Sequence, residues 1–160
     1  MRPRALVSII IGLLAGQILQ AQVPDLRLLM QKKPNAARQL QAKASQRADV
    51  RKLFETIERE IVRSSLTEST GQFADQVFVN MSSGESGYFS ANQTVSILQR
   101  YLSSRTSLSF EFSRFSDAGT TPYATGRLSF VSRGRKESAQ VYVSLRFQDS
   151  RWVVSQFNVY

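Results

Sequence analysis

Three stretches near the C-terminus alternate apolar and polar residues with strict period two. Leu108, Phe110 and Phe112 interleave with Ser107, Ser109, Glu111 and Ser113. Ala124, Gly126, Leu128 and Phe130 interleave with Tyr123, Thr125, Arg127 and Ser129. Val141, Val143, Leu145 and Phe147 interleave with Tyr142, Ser144, Arg146 and Gln148. Successive side chains of a strand point to opposite faces, so each stretch predicts a strand with one buried face and one wet face. Such strands build an antiparallel sheet covered on one side only. The segments DAGTTP, SRGRKES and QDSR supply the turns between them.

The last stretch, RWVVSQFNVY, departs from strict alternation. Val154 and Phe157 are three apart, and Val159 follows two later. If all three face inward, an extra residue lies near Ser155–Gln156. That is a β-bulge, which bends a strand and increases its twist. Gly126, inside another strand, has the same tendency. On the apolar phase of its strand, its missing side chain would let a helix or a bend come close, with Arg127 pointing outward to solvent.

The cover for this sheet lies upstream. Val50, Leu53, Phe54, Ile57 and Ile61 form one apolar stripe at helical spacing from Asp49. Ser90 and Gln93 match a capping box, opening a second helix with Val95, Leu98 and Leu102 on one face. Between them, DQVFVNM around Phe78 and Gly87–Phe89 read as a hairpin of short strands. All ten phenylalanines fall between Phe54 and Phe157, so the core belongs to this part of the chain.

The N-terminal part reads differently. Residues 1–21 carry Arg2 and Arg4, then an apolar run from Ala5 to Ala15, then small and polar residues up to Ala21. This is the layout of a secretory signal peptide cleaved after Ala21, predicting export to the periplasm or beyond the cell; an uncleaved anchor is the alternative. Residues 22–48 form a basic lead-in, flexible or helical, in which Pro34 is expected to break any helix and Asn35 to cap a new one. This segment offers a weak contact with an anionic membrane surface.

Residues 49–160 form the folded domain. The net charge of +9 is concentrated outside it: residues 22–48 contribute +5, and residues 49–160 hold 13 basic against 11 acidic side chains. A nucleic-acid module would hold its surplus on its own folded face, so no nucleic-acid partner is expected. The chain has no cysteine and no histidine, which removes disulfides, thiolate chemistry and the usual neutral-pH base.

The stretches GYFSANQTVSILQRYL, YATGRLSF, VYVSLRF and RWVVSQFNVY together resemble the nuclear transport factor 2-like (cystatin-like) superfamily. They are similar above all to a small secreted family of unknown function known chiefly from Bacteroidota. The carrying features are Tyr-Ser at the second helix (here Phe89 intervenes between Tyr88 and Ser90), Tyr-Ala-x-Gly-x-Leu in a middle strand, and the aromatic ending. The resemblance covers residues 49–160 and implies an α+β fold, with a curved antiparallel sheet wrapped around helices as a cone.

It implies little chemistry. Enzymes of related cones, isomerases and dehydratases, place Asp, His or Tyr inside the cone. Here Glu111 is out of phase with its apolar neighbours, Asp117 and Asp149 fall in turns, and Asp75 and Glu85 flank the hairpin. Asp75 is the least implausible acid, and a turn cap is its simpler role. No catalytic, cofactor-binding or metal-ligating residues are identified, and no cofactor is expected. Phe54, Phe78, Phe110, Phe112, Leu128, Phe130, Val143 and Phe157 either fill the core or line a cavity for a small apolar ligand. The outer sheet face, with Tyr142, Arg127 and Arg146, suits a sugar, a peptide, a protein partner or a second copy of the chain. The expectation is an exported, non-enzymatic binding domain of the cell envelope; the alternative is a cone-fold isomerase or dehydratase acting on a small apolar ligand.

Overall fold

The computed structural model describes residues 26–160, and side chains within residues 35–66, 70–106 and 108–160. The expected signal peptide, residues 1–21, lies outside the described residues. Among the described residues no helix is long and apolar enough to cross a membrane. The chain divides into two units at the Ala37/Arg38 boundary. In the first, the described backbone, from Leu26, is helical.

Helix α1 spans Leu26–Arg63, so Pro34 does not end it. A proline removes one backbone donor, and helical geometry can continue on either side of that gap. A 3-10 turn, Thr67–Gln72, leads to strands β1 (Phe73–Met81) and β2 (Ser86–Ser90). Helix α2 (Ala91–Ser103) follows, then β3 (Thr106–Ser116), β4 (Tyr123–Ser132), β5 (Arg135–Gln148) and β6 (Arg151–Val159). The Ser90–Gln93 capping box is present in both directions: Ser90 Oγ accepts from the Gln93 amide at 3.3 Å, and Gln93 Oε1 accepts from the Ser90 amide at 3.0 Å.

The six strands form one sheet in the order β2-β1-β6-β5-β4-β3. All pairings are antiparallel except β1 with β6, which run parallel. Alternation reports which face is buried, not which neighbour a strand takes, so this pair was not legible in the sequence. The chain reaches β6 from β5 by a tight hairpin and lays it beside β1, which came first.

Of the irregularities in strand pairing, two bear on the sequence pattern. In β6, Ser144 pairs with Gln156 and Leu145 with Val154, leaving Ser155 as the extra residue. Val154, Phe157 and Val159 are all buried, as the broken alternation predicted. In β3, Phe112 pairs with Gly126 and Arg114 with Thr125, leaving Ser113 extra. Gly126 sits opposite that bulge. A β-carbon there would lie 2.4 Å from the Glu111 carbonyl oxygen and 2.9 Å from Phe110 Cε2. The close approach is therefore made by the bulged neighbouring strand rather than by a helix. Glu58 on α1 completes the bulge by accepting from the Phe112 amide at 3.3 Å.

The concave face packs on the helices. Val50, Phe54, Ile57 and Ile61 of α1 are buried, as are Val95, Leu98, Tyr101 and Leu102 of α2. They meet Val77, Val79, Phe110, Phe112, Leu128, Phe130, Val143, Leu145 and Phe157 from the sheet. The rings interlock edge to face, Phe54 with Phe112 at 5.4 Å and Phe110 with Phe112 at 4.7 Å. Arg105 locks the end of α2, its guanidinium 3.4 Å from the centre of the Tyr101 ring and 4.8 Å from that of Phe130. Phe78 is not part of this core. It lies on the opposite phase from Val77 and Val79, on the outer face against Tyr88 at 5.3 Å.

Candidate functional site

The interior between α2 and the sheet is filled. Ile61, Leu98, Tyr101, Leu128, Phe157 and Val159 surround a residual space of about 10 Å³. A water needs at least roughly that much room together with polar partners, which these walls do not provide. Of the two fates open to the apolar side chains, all but Phe78 take the filled core.

A ligand-sized space with an aromatic floor lies at the end of the sheet where the β5–β6 hairpin turns. Phe147 shares the inward phase of Val143 and Leu145, but it stands past the end of the core and is 60% exposed. Alternation gave its face correctly and its burial wrongly, because burial depends on how far the covering helices reach. Phe147 pairs with Trp152 in register, and the two rings meet edge to face at 5.3 Å. Around them opens a groove of about 610 Å³, lined by Gln46, Asp49, Gly119, Thr120, Arg146, Phe147, Ser150 and Trp152. Its size is ordinary for a small-molecule site.

Each wall has a local origin. Gln46 and Asp49 come from the exposed turns of α1 just before Val50 enters the core. Gly119 and Thr120 come from the β3–β4 loop. The start of that loop is tied to α1 by the Arg51–Asp117 ion pair at 3.0 Å. Ser150 belongs to the β5–β6 turn, where Asp149 and Ser150 both have positive φ, at 49° and 63°. Two such residues in succession make the kind of turn whose twist matches that of an antiparallel hairpin.

Arg146 was expected on the open outer face. It is exposed, on the opposite phase from Leu145 and Phe147, and at this end of the sheet it also lines the groove, where it is held in place. Its Nε and Nη2 both donate to Gln148 Oε1, at 3.1 and 2.7 Å. Gln148 in turn donates to Asp75 Oδ2 at 2.7 Å and Asp149 Oδ2 at 3.2 Å. Asp75 thus lies within β1 and anchors a side-chain relay rather than capping a turn. Glu85 stands elsewhere, beside the first hairpin. The Ser83 hydroxyl, donating at 2.6 Å, holds its carboxyl below the usual value, with its own backbone amide and Arg100 adding to the effect. Glu111 is exposed, as its phase predicted. The structure brings none of these acids together in a cavity: Asp75, Glu85, Glu111 and Asp117 serve the sheet surface and its turns.

The groove's aromatic floor was missed by the sequence reading, although one signal was available. Phe147 lies one residue from the QDSR turn, where a strand end outruns its cover.

The outer face carries Tyr123 stacked on Tyr142 at 5.6 Å, with Arg127 exposed beside them. Asn158 is buried among this layer and donates to the Tyr160 hydroxyl at 2.9 Å. A second depression, of about 510 Å³, lies near Arg127, Ser129, Lys136 and Ser138. It has no exposed aromatic floor.

A curved six-stranded sheet packed on two helices through one face is an α+β fold of the nuclear transport factor 2-like kind. Solved structures agree. An NTF-2 like protein of unknown function from Shewanella oneidensis MR-1 is similar at a TM-score of 0.52 and 13% identity, over 70% of this chain and 96% of that one. Within the class, residues 54–159 match the family model "Domain of unknown function (DUF4783)", and the chain belongs to that family. Its structure is similar to DUF4783 family proteins from Bacteroides uniformis ATCC 8492 (TM-score 0.58, 13% identity, 66% of this chain and 93% of that one) and Bacteroides ovatus ATCC 8483 (0.56, 13%, 64% and 89%). No curated protein matches the sequence.

Proposed function

We propose that the chain is an exported binding domain that takes its ligand in the Phe147–Trp152 groove rather than inside the cone. The observation that carries this reading is the contrast between the two spaces. About 10 Å³ remains behind α2, against about 610 Å³ at the hairpin end. A cone-fold isomerase or dehydratase encloses its substrate, so the filled interior favours binding over that alternative. An exposed phenylalanine with a polar surround is the usual make-up of a ligand floor. Export rests on the arginine-led apolar run of residues 1–21, and N-terminal sequencing of the secreted protein tests it: the mature chain begins at Gln22.

The site is tested by a fragment screen read by amide chemical shifts. Hits are expected to move the resonances of Gln46, Thr120, Phe147 and Trp152. Shifts confined to Leu98, Leu128 and Phe157 would place the ligand inside the cone and overturn the reading. The lead-in, basic over residues 22–48, supports a weak contact with anionic membrane. Vesicle co-sedimentation with and without those residues tests that part: the loss of sedimentation on their removal is expected, and its persistence rejects the contact.

A further inference from the structure

We infer that the ligand of this groove is a neutral saccharide chain, an inference that rests on the binding reading above. Three features of the lining carry it. First, Phe147 is 60% exposed and its ring is oriented by an edge contact with Trp152. A flat apolar surface of one ring's breadth matches the C–H face of a pyranose, whereas a fatty chain would call for a longer apolar trough. Second, the polar lining consists of Asp49, Gln46 and Arg146, with the hydroxyls of Thr120 and Ser150. Carboxylate, amide and guanidinium groups present paired acceptors or donors in a plane, and vicinal hydroxyls can meet such a pair with two hydrogen bonds. Arg146 is already oriented by Gln148, which takes two of its five N–H donors. A group fixed beforehand loses less entropy on binding.

Third, one carboxylate and one guanidinium balance within the lining. A strongly anionic or cationic ligand would leave one of them facing a like charge, whereas a neutral polyhydroxylated one uses both. The groove is open to solvent at the domain surface, so a ligand there need not be enclosed.

Trp152 is the only tryptophan in the sequence and lines the groove, so its emission reports occupancy directly. The experiment titrates the full chain with cellotetraose, chitotetraose and maltotetraose, and separately with sodium laurate. At least one tetrasaccharide is expected to change Trp152 emission saturably. Phe147→Ala and Asp49→Asn should each weaken that binding at least tenfold, while Phe147→Tyr, which keeps the ring, stays within threefold. Both Phe147 and Asp49 are exposed, and an unchanged unfolding midpoint confirms that the variants fold. A Phe147-dependent response to laurate alone would overturn the saccharide inference and leave groove binding standing. A response to neither probe would overturn both. A saccharide response indifferent to Phe147→Ala would overturn this site.

Discussion

At Gly126 a single missing β-carbon decides whether two strands can pair. Its φ lies outside the left-handed region, so the requirement is space, not backbone freedom. The Glu111 carbonyl, 2.4 Å from where a β-carbon would stand, belongs to the main chain and cannot rotate away. Gly126→Ala is therefore expected to cost about 2–3 kcal/mol, as overpacking against a rigid neighbour does, measured by urea unfolding. A cost under about 0.5 kcal/mol would mean the bulge at Ser113 is not held where it is described. Glu85 gives a second test at this scale. Its carboxyl is held below its ordinary value of 4.5, chiefly by the Ser83 hydroxyl. A lowered folded pKa means that stability from this contact is present above the unfolded value and is lost as pH falls through the folded one. Ser83→Ala should move the Glu85 titration upward toward the ordinary value by carboxyl NMR and make the protein slightly less stable at neutral pH. A downward movement or none would show that the hydroxyl is not the main cause.

Among the elements, α2 and the β5–β6 hairpin show what local chemistry can and cannot specify. The capping box was legible because Ser90 and Gln93 satisfy each other's backbone without help from the rest of the fold. Ser90→Ala should cost about 1 kcal/mol by thermal or urea unfolding. The hairpin turn is the opposite case. Asp149 and Ser150 hold positive φ although neither is glycine. Ser150→Gly is expected to stabilise the protein by about 1 kcal/mol, since the left-handed region costs an L-residue roughly that much; a destabilised variant would show that the Ser150 side chain is needed there. The bulge at Ser155 was visible as a three-residue step between Val154 and Phe157. The parallel β1–β6 pairing was not, because period-two patterning is the same whichever neighbour a strand takes. Pro34 misled for a related reason: it marks a lost donor, and the neighbouring residues decide whether the helix resumes.

For the whole molecule, the sequence located the core well and the candidate site poorly. Apolar phase identified Phe54, Phe110, Phe112, Phe130 and Phe157 as inward, and all five are buried. The same rule placed Phe147 inward, and there the tertiary arrangement overrides it, since α1 offers only the polar Gln46 and Asp49 beside it, ahead of its buried stripe at Val50. The groove draws on α1, the β3–β4 loop and the β5–β6 hairpin, segments up to about a hundred residues apart in the chain, and no local pattern links them. The proposed binding site thus implies a division of labour among phenylalanines, most of them buried and Phe147 exposed at the groove. Equilibrium unfolding of Phe157→Ala beside Phe147→Ala measures that division most directly. Phe157→Ala should lose about 3–5 kcal/mol, as truncation of a buried ring does, while Phe147→Ala stays within about 1 kcal/mol of the parent. Equal losses, or a larger one at Phe147, would contradict it.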